Sequence, residues 1–169
     1  TTEECIGDKS KIYITYPDFP KDVEVGDKIM LDDGKIILKA ENSNKKNEVS
    51  AVVIQGGELK SKKGINLPNT KISLPCLTNK DLADLEFALE TGIEWIGLSF
   101  VRSVNDIKEL QKIISEKKSP AKIVAKIEKP EAIQQIDAII KKSDAVMVAR
   151  GDLGVEVPND QRETVTIRE

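Results

Sequence analysis

Three apolar runs, IEWIGLSF (93–100), KIVAKIE (122–128) and AVMVA (145–149), recur about every twenty-five residues. Between them lie stretches of helical period. VNDIKELQKIISEKK reads as a helix capped by Ser103 or Asn105, and PEAIQQIDAIIKK as one helix with Pro130 in its first position. LTNKDLADLEFALETG precedes the first run. Thr78 or Asn79 caps it, Leu82, Leu85, Phe87, Ala88 and Leu89 mark an apolar side, and Gly92 ends it. Strands this apolar, alternating with helices, predict a parallel sheet covered on its faces. Three strands are too few for a closed barrel, which needs eight. The expectation is therefore an α/β fold in which these strands form a section of a larger barrel.

The residues before this pattern have a different texture. KIYITYPDF alternates and is rich in β-formers, and KIMLDDGKIILKA carries Asp33-Gly34 between two apolar runs, a strong hairpin signal. ENSNKKNE (41–48) is polar and turn-like, EVSAVVIQGG is a further strand, and KSKKGINLPN (60–69) breaks the pattern. Short strands without helical period predict a small all-β barrel or sandwich over 1–69, with the barrel section over 70–158.

Charge and composition narrow the function. The 169 residues carry a net charge of −3, with no basic footprint for nucleic acid and no apolar run near the ~20 residues of a membrane span. No secretory signal is visible, so a cytoplasmic protein is expected, with Cys5 and Cys76 as reduced thiols outside any metal-ligand spacing. Aromatic residues are 4% of the chain, so any core must be mostly aliphatic. Histidine is absent, which removes Ser-His-Asp and Cys-His nucleophile systems and His-ligated zinc. Chemistry must use carboxylates, lysine, arginine, hydroxyls, backbone or metal.

In parallel α/β folds, ligands bind beyond the carboxyl ends of the strands. Those ends read Ser99-Phe100-Val101-Arg102, Lys126-Ile127-Glu128 and Ala149-Arg150-Gly151-Asp152. Lys126 and Glu128 are two apart and share one side of the sheet, opposite Ile123, Ala125 and Ile127. Asp152, at the end of the neighbouring strand about 4.8 Å away, should lie near Glu128. Two close carboxylates repel unless a cation lies between them, and Mg²⁺ takes one or two carboxylates plus substrate oxygens. A structural Lys126–Glu128 pair is the alternative. Gly151 lets backbone approach a ligand, and N–H groups in the turn or short helix after it would suit an anion; Gly151 and Gly154 serving only a turn is the plainer option.

At these residues the sequence resembles the pyruvate kinase family. KIE followed by MVARGDLGVE matches that family's signature pair, and LDDGKI, GGELKSKKGINLP, SLPCLTNKD and SFVRS fall in the family's order, from about Lys11 to Pro158. The resemblance implies that 1–69 is a small β-barrel lid and 70–158 part of a (β/α)₈ barrel. It implies Lys126 as the catalytic lysine near the transferring phosphoryl group. Glu128 and Asp152 become the ligands of Mg²⁺ (or Mn²⁺), and the Gly151 backbone holds the substrate carboxylate beside Lys126. Lys63 becomes a nucleotide-site lysine, where a solvated basic turn is the alternative. The implied partners are phosphoenolpyruvate or pyruvate and ADP or ATP, in a homotetrameric glycolytic parent enzyme. The family's K⁺ is expected too, with its site outside these residues.

Two departures stand out. Lys129-Pro130 replaces the Asn that often follows KIE, a change expected to be tolerated, and NDQRETVTIRE (159–169) does not look like the helix expected after VEVP. Two alternatives to phosphoryl transfer remain: a metal-dependent lyase or aldolase of the pyruvate-binding barrel type, and a truncated, non-catalytic fragment. For the isolated chain, inactivity and self-association through open sheet edges are the expectation.

Overall fold

The computed structural model describes residues 1–157; the atypical stretch expected over 159–169 lies outside the described residues. The chain divides into two compact units between Leu74 and Pro75.

The first unit holds a one-turn helix α1 (Phe19–Asp22) and four antiparallel strands: β1 (Lys28–Leu31), β2 (Ile36–Ser43), β3 (Val49–Gln55) and β4 (Ile65–Asn66), in the order β3-β2-β1-β4. The Asp-Gly hairpin forms as expected. Its loop runs through left-handed backbone at Asp32 (φ 49°), Asp33 (φ 57°) and Gly34 (φ 82°), and a Cβ on Gly34 would meet the Met30 methyl at 2.6 Å. The left-handed backbone at Gly34 therefore favours glycine there, while the Met30 methyl could swing aside. KIYITYPDF, by contrast, is not a strand. Its backbone bonds to other segments include Thr1 N to Ile12 O (2.8 Å), Ile14 N to Thr1 O (2.9 Å) and Asp8 N to Lys11 O (2.9 Å), which make no ladder. Ile12 and Ile14 still pack against the core of Tyr16, Phe19, Val23, Ile29, Leu31, Ile36, Ala40 and Leu67, so the alternation reported burial rather than pairing. Pro20 starts α1, a helix that the β-rich texture concealed.

The second unit alternates: α2 (Asn79–Glu90), β5 (Trp95–Leu98), α3 (Val104–Glu116), β6 (Lys122–Ile127), α4 (Pro130–Gln134), α5 (Ile136–Lys142), β7 (Ala145–Val148) and α6 (Arg150–Glu156). The sheet is parallel, ordered β5-β6-β7, with Leu98 opposite Ala125 and Ile127 opposite Val148. Thr78 and Asp81 form a capping box on α2, and Ser103 and Asp106 form one on α3. Leu85 and Leu89 of α2 and Ile107, Leu110 and Ile114 of α3 cover Ile123, Ala125 and Ile127 of β6 in one aliphatic core. Two sequence expectations need correcting. Phe87 is 70% exposed, because it lies two residues from Leu85 and so on the far side of α2. PEAIQQIDAIIKK is two helices, because Gln135 leaves helical backbone (φ −117°, ψ 18°). Among the described residues, no helix is long and apolar enough to cross a membrane.

Candidate functional site

Period-two alternation along β6 sends Ile123, Ala125 and Ile127 into the helix-covered core and leaves Lys126 on the other face. Beyond the strand, Glu128 returns to the Lys126 side. Its carboxylate accepts from the Lys126 ammonium at 2.6 Å, although only 3% of the Glu128 side chain is exposed. The second oxygen, Oε2, accepts the Phe100 N–H at 2.9 Å. Lys126 Nζ also donates to Ser99 Oγ at 2.8 Å. A charge this deeply buried is expensive unless each oxygen has a donor, and here each has one.

The Phe100 N–H, and the Ser99 hydroxyl that accepts from Lys126, come from the turn after β5. Asp106, in the first turn of α3, accepts from both Arg102 N and Ser103 N at 2.8 Å and so anchors that turn. Phe100 adopts left-handed backbone (φ 55°) there, uncommon for a non-glycine residue and of the kind found where a backbone group must be aimed. Lys126, Glu128, Ser99 and the Phe100 amide thus meet at the carboxyl ends of two adjacent parallel strands.

Gly151 and Asp152 lie in the first turn of α6, directly after β7. Since Ala149 N donates to Ile127 O at 3.1 Å, α6 leaves the sheet beside the point where Glu128 begins. Asp152 is exposed, and no side chain caps the helix N-terminus. Among the described residues, no group of three or more histidine, cysteine or acidic side chains could hold a metal. Two carboxylates alone, as expected for Glu128 and Asp152, would suit an ion that takes the rest of its oxygens from substrate and water. Each Glu128 oxygen keeps a lone pair beyond the hydrogen bond that it accepts.

Lys63 belongs to the first unit. Its ammonium bonds Asp32 Oδ1 at 2.9 Å, and Lys35 bonds Oδ2 of the same carboxylate at 3.0 Å. Hydrogen bonds from Lys63 and then Lys35 hold the Asp32 carboxyl below its ordinary range, and Asp32 in turn raises Lys63. Sequence reasoning gave no role to Ser99, the Phe100 amide or Asp32. The first two stand at a strand end that was legible, but the aim of the Phe100 N–H at Glu128, beside the Ser99 hydroxyl that accepts from Lys126, depends on a backbone angle that no residue type announces. It also passed over Lys129 and Glu156, whose ammonium and carboxylate meet at 2.7 Å with side chains only 10% and 3% exposed.

A sequence model of the family described as "Pyruvate kinase, barrel domain" matches residues 1–167. Curated relatives named pyruvate kinase include one from Corynebacterium glutamicum, 43% identical over 95% of this chain and 34% of its own length. One from Thermococcus litoralis is 43% identical over 94% of this chain and 33% of its own length. One from Geobacillus stearothermophilus is 44% identical over 94% of this chain and 27% of its own length. The chain thus spans about a third or less of the length of these relatives. With the family match running from residue 1 to residue 167 and the relatives alike over nearly all of it, the chain belongs to the pyruvate kinase family.

Proposed function

We propose that this chain supplies part of the catalytic machinery of a phosphotransferase that moves a phosphoryl group from phosphoenolpyruvate to ADP, giving pyruvate and ATP. The observation that carries the proposal is the Lys126 ammonium, held between Ser99 Oγ and Glu128 Oε1 at the carboxyl end of a parallel sheet. Phosphoryl transfer asks little covalent chemistry of the protein. It asks for positive charge set in advance where the equatorial oxygens gather negative charge. A lysine with two fixed partners loses little rotamer freedom when substrate arrives, and its third N–H is available to a phosphoryl or enolate oxygen.

Glu128 and Asp152 would hold Mg²⁺ (or Mn²⁺), which when bound neutralises phosphoryl charge and polarises the enolate oxygen. The Gly151 backbone, without a side chain to obstruct it, would receive the substrate carboxylate. Lys63 is assigned to the nucleotide phosphates on the family pattern, exchanging its bond to Asp32 for one to phosphate. In this proposal the two units correspond to the lid and to part of the (β/α)₈ barrel of the family, and K⁺ and tetrameric assembly belong to the whole enzyme.

The test is pyruvate formation from phosphoenolpyruvate and ADP with Mg²⁺, measured in a polypeptide that carries this sequence with the remaining length of its relatives. Lys126→Met is expected to lower kcat about 10²- to 10³-fold, the usual scale for removing one preorganised electrostatic contact. Near-normal turnover would remove Lys126 from the mechanism. Carbon–carbon cleavage of a 2-oxo acid without nucleotide would favour a lyase instead.

A further inference from the structure

The buried Lys129–Glu156 pair lies outside every role assigned so far. Lys129 directly follows Glu128 and serves as N-cap of α4, where extended backbone (φ −117°, ψ 142°) agrees with the proline after it. Glu156 is the last residue of α6, the helix whose first turn carries Gly151 and Asp152. The Lys129 ammonium meets Glu156 Oε1 at 2.7 Å and also lies 5.9 Å from the centroid of the Phe100 ring. Phe100 is the residue whose N–H donates to Glu128. The contacts therefore run unbroken from Glu128 through Phe100 and Lys129 to the far end of α6.

Desolvating two charges costs much of what their attraction returns, so a buried ion pair is a poor way to add stability. It is a good way to enforce one geometry, because any shift that separates the partners takes a strong contact away from two charges that water cannot reach. The helix it secures needs such a constraint. With seven residues, glycines at 151 and 154 and no side-chain N-cap, α6 has little intrinsic tendency to hold its shape or direction. Its other buried anchor is Leu153, a nonpolar contact that fixes burial but not rotation.

We propose that Lys129 and Glu156 are positioning residues: their ion pair ties the end of α6 to the loop after β6 and so sets Asp152 relative to Glu128 for a shared divalent cation. The inference rests on the proposed metal role of those two carboxylates. Lys129 is thus more than a tolerated replacement, since it provides the charge that orients the neighbouring helix.

The experiment titrates Mn²⁺ into the protein, reads the free ion by electron paramagnetic resonance, and follows thermal unfolding of each variant. Lys129→Met combined with Glu156→Leu removes both charges at similar bulk, so Tm should stay at or above the unmodified value. Its Mn²⁺ affinity should nevertheless fall about 10- to 100-fold, the scale found for groups that orient metal ligands. Lys129→Arg keeps the ion pair and should keep the affinity near the unmodified value. Should the double variant fail to fold, Glu156→Gln gives the same reading, with weaker Mn²⁺ binding expected and unchanged binding counting against the proposal. Unchanged affinity in a folded double variant overturns the positioning role while leaving the metal site intact. Absence of Mn²⁺ binding in the unmodified protein overturns the metal assignment and this inference with it.

Discussion

At the scale of single residues, the proposed site depends on one hydroxyl that accepts and one amide that donates around two charged side chains. Ser99→Ala removes the hydroxyl partner of Lys126 Nζ and leaves the ion pair to Glu128 intact. It should therefore lower kcat about 10- to 100-fold by loosening the ammonium, with Tm nearly unchanged. Steady-state kinetics beside a melting curve checks this, and loss of Tm in step with kcat would mark Ser99 as structural. Cys76 offers a second test. Burial, and then the Asp106 charge, push its thiol up to about 12, while Cys5 is exposed. At pH 8 only about one Cys76 in ten thousand would be thiolate, so iodoacetamide should label Cys5 first and Cys76 only on unfolding. Mass spectrometry of partly labelled protein resolves the order.

At the scale of elements, local chemistry decides where helices begin and tertiary contact decides which way they face. The Thr78 hydroxyl and amide hold the Asp81 carboxyl below its ordinary range. A depressed folded value means that this contribution is complete above the unfolded carboxylate value near 4 and disappears as pH falls through the folded value. Thr78→Ala should cost about 1 kcal/mol at neutral pH. The gap between the variant and the parent, read by denaturant titration, should narrow as the solution is acidified through and below pH 4. A gap that widened on acidification would contradict the assigned cap. Helix α6 is the opposite case: weak local signals, and buried contacts at Leu153 and Glu156 that hold it.

For the whole molecule, each of the two units has its own mostly aliphatic core, with Tyr16 and Phe19 as the aromatic members of the first. Ile107 and Leu110 are fully buried in one and Val23 in the other. Ile107→Ala should cost about 2–5 kcal/mol and raise amide exchange in α3 and β6 while β1 and β2 keep their protection. Exchange rising equally in both units would show that they unfold as one. In the second unit β5 and β7 each have one ladder partner among the described residues, and Trp95 and Met147 are 48% and 50% exposed.

Sequence alone determined the parallel βα order, the Asp-Gly hairpin, the helix starts, each to a pair of cap candidates, and the shared face of Lys126 and Glu128. Each follows from neighbours a few residues apart, through period, turn chemistry and side-chain oxygens near free N–H groups. Tertiary structure alone decided that KIYITYPDF makes no ladder and that the helix after β6 breaks at Gln135. It also decided that the Phe100 amide turns toward Glu128 and that Lys129 meets Glu156. Those outcomes depend on groups brought together from distant positions, up to 28 residues apart for Phe100 and Glu128, where burial makes an unpaired charge or amide costly enough to overrule local preference.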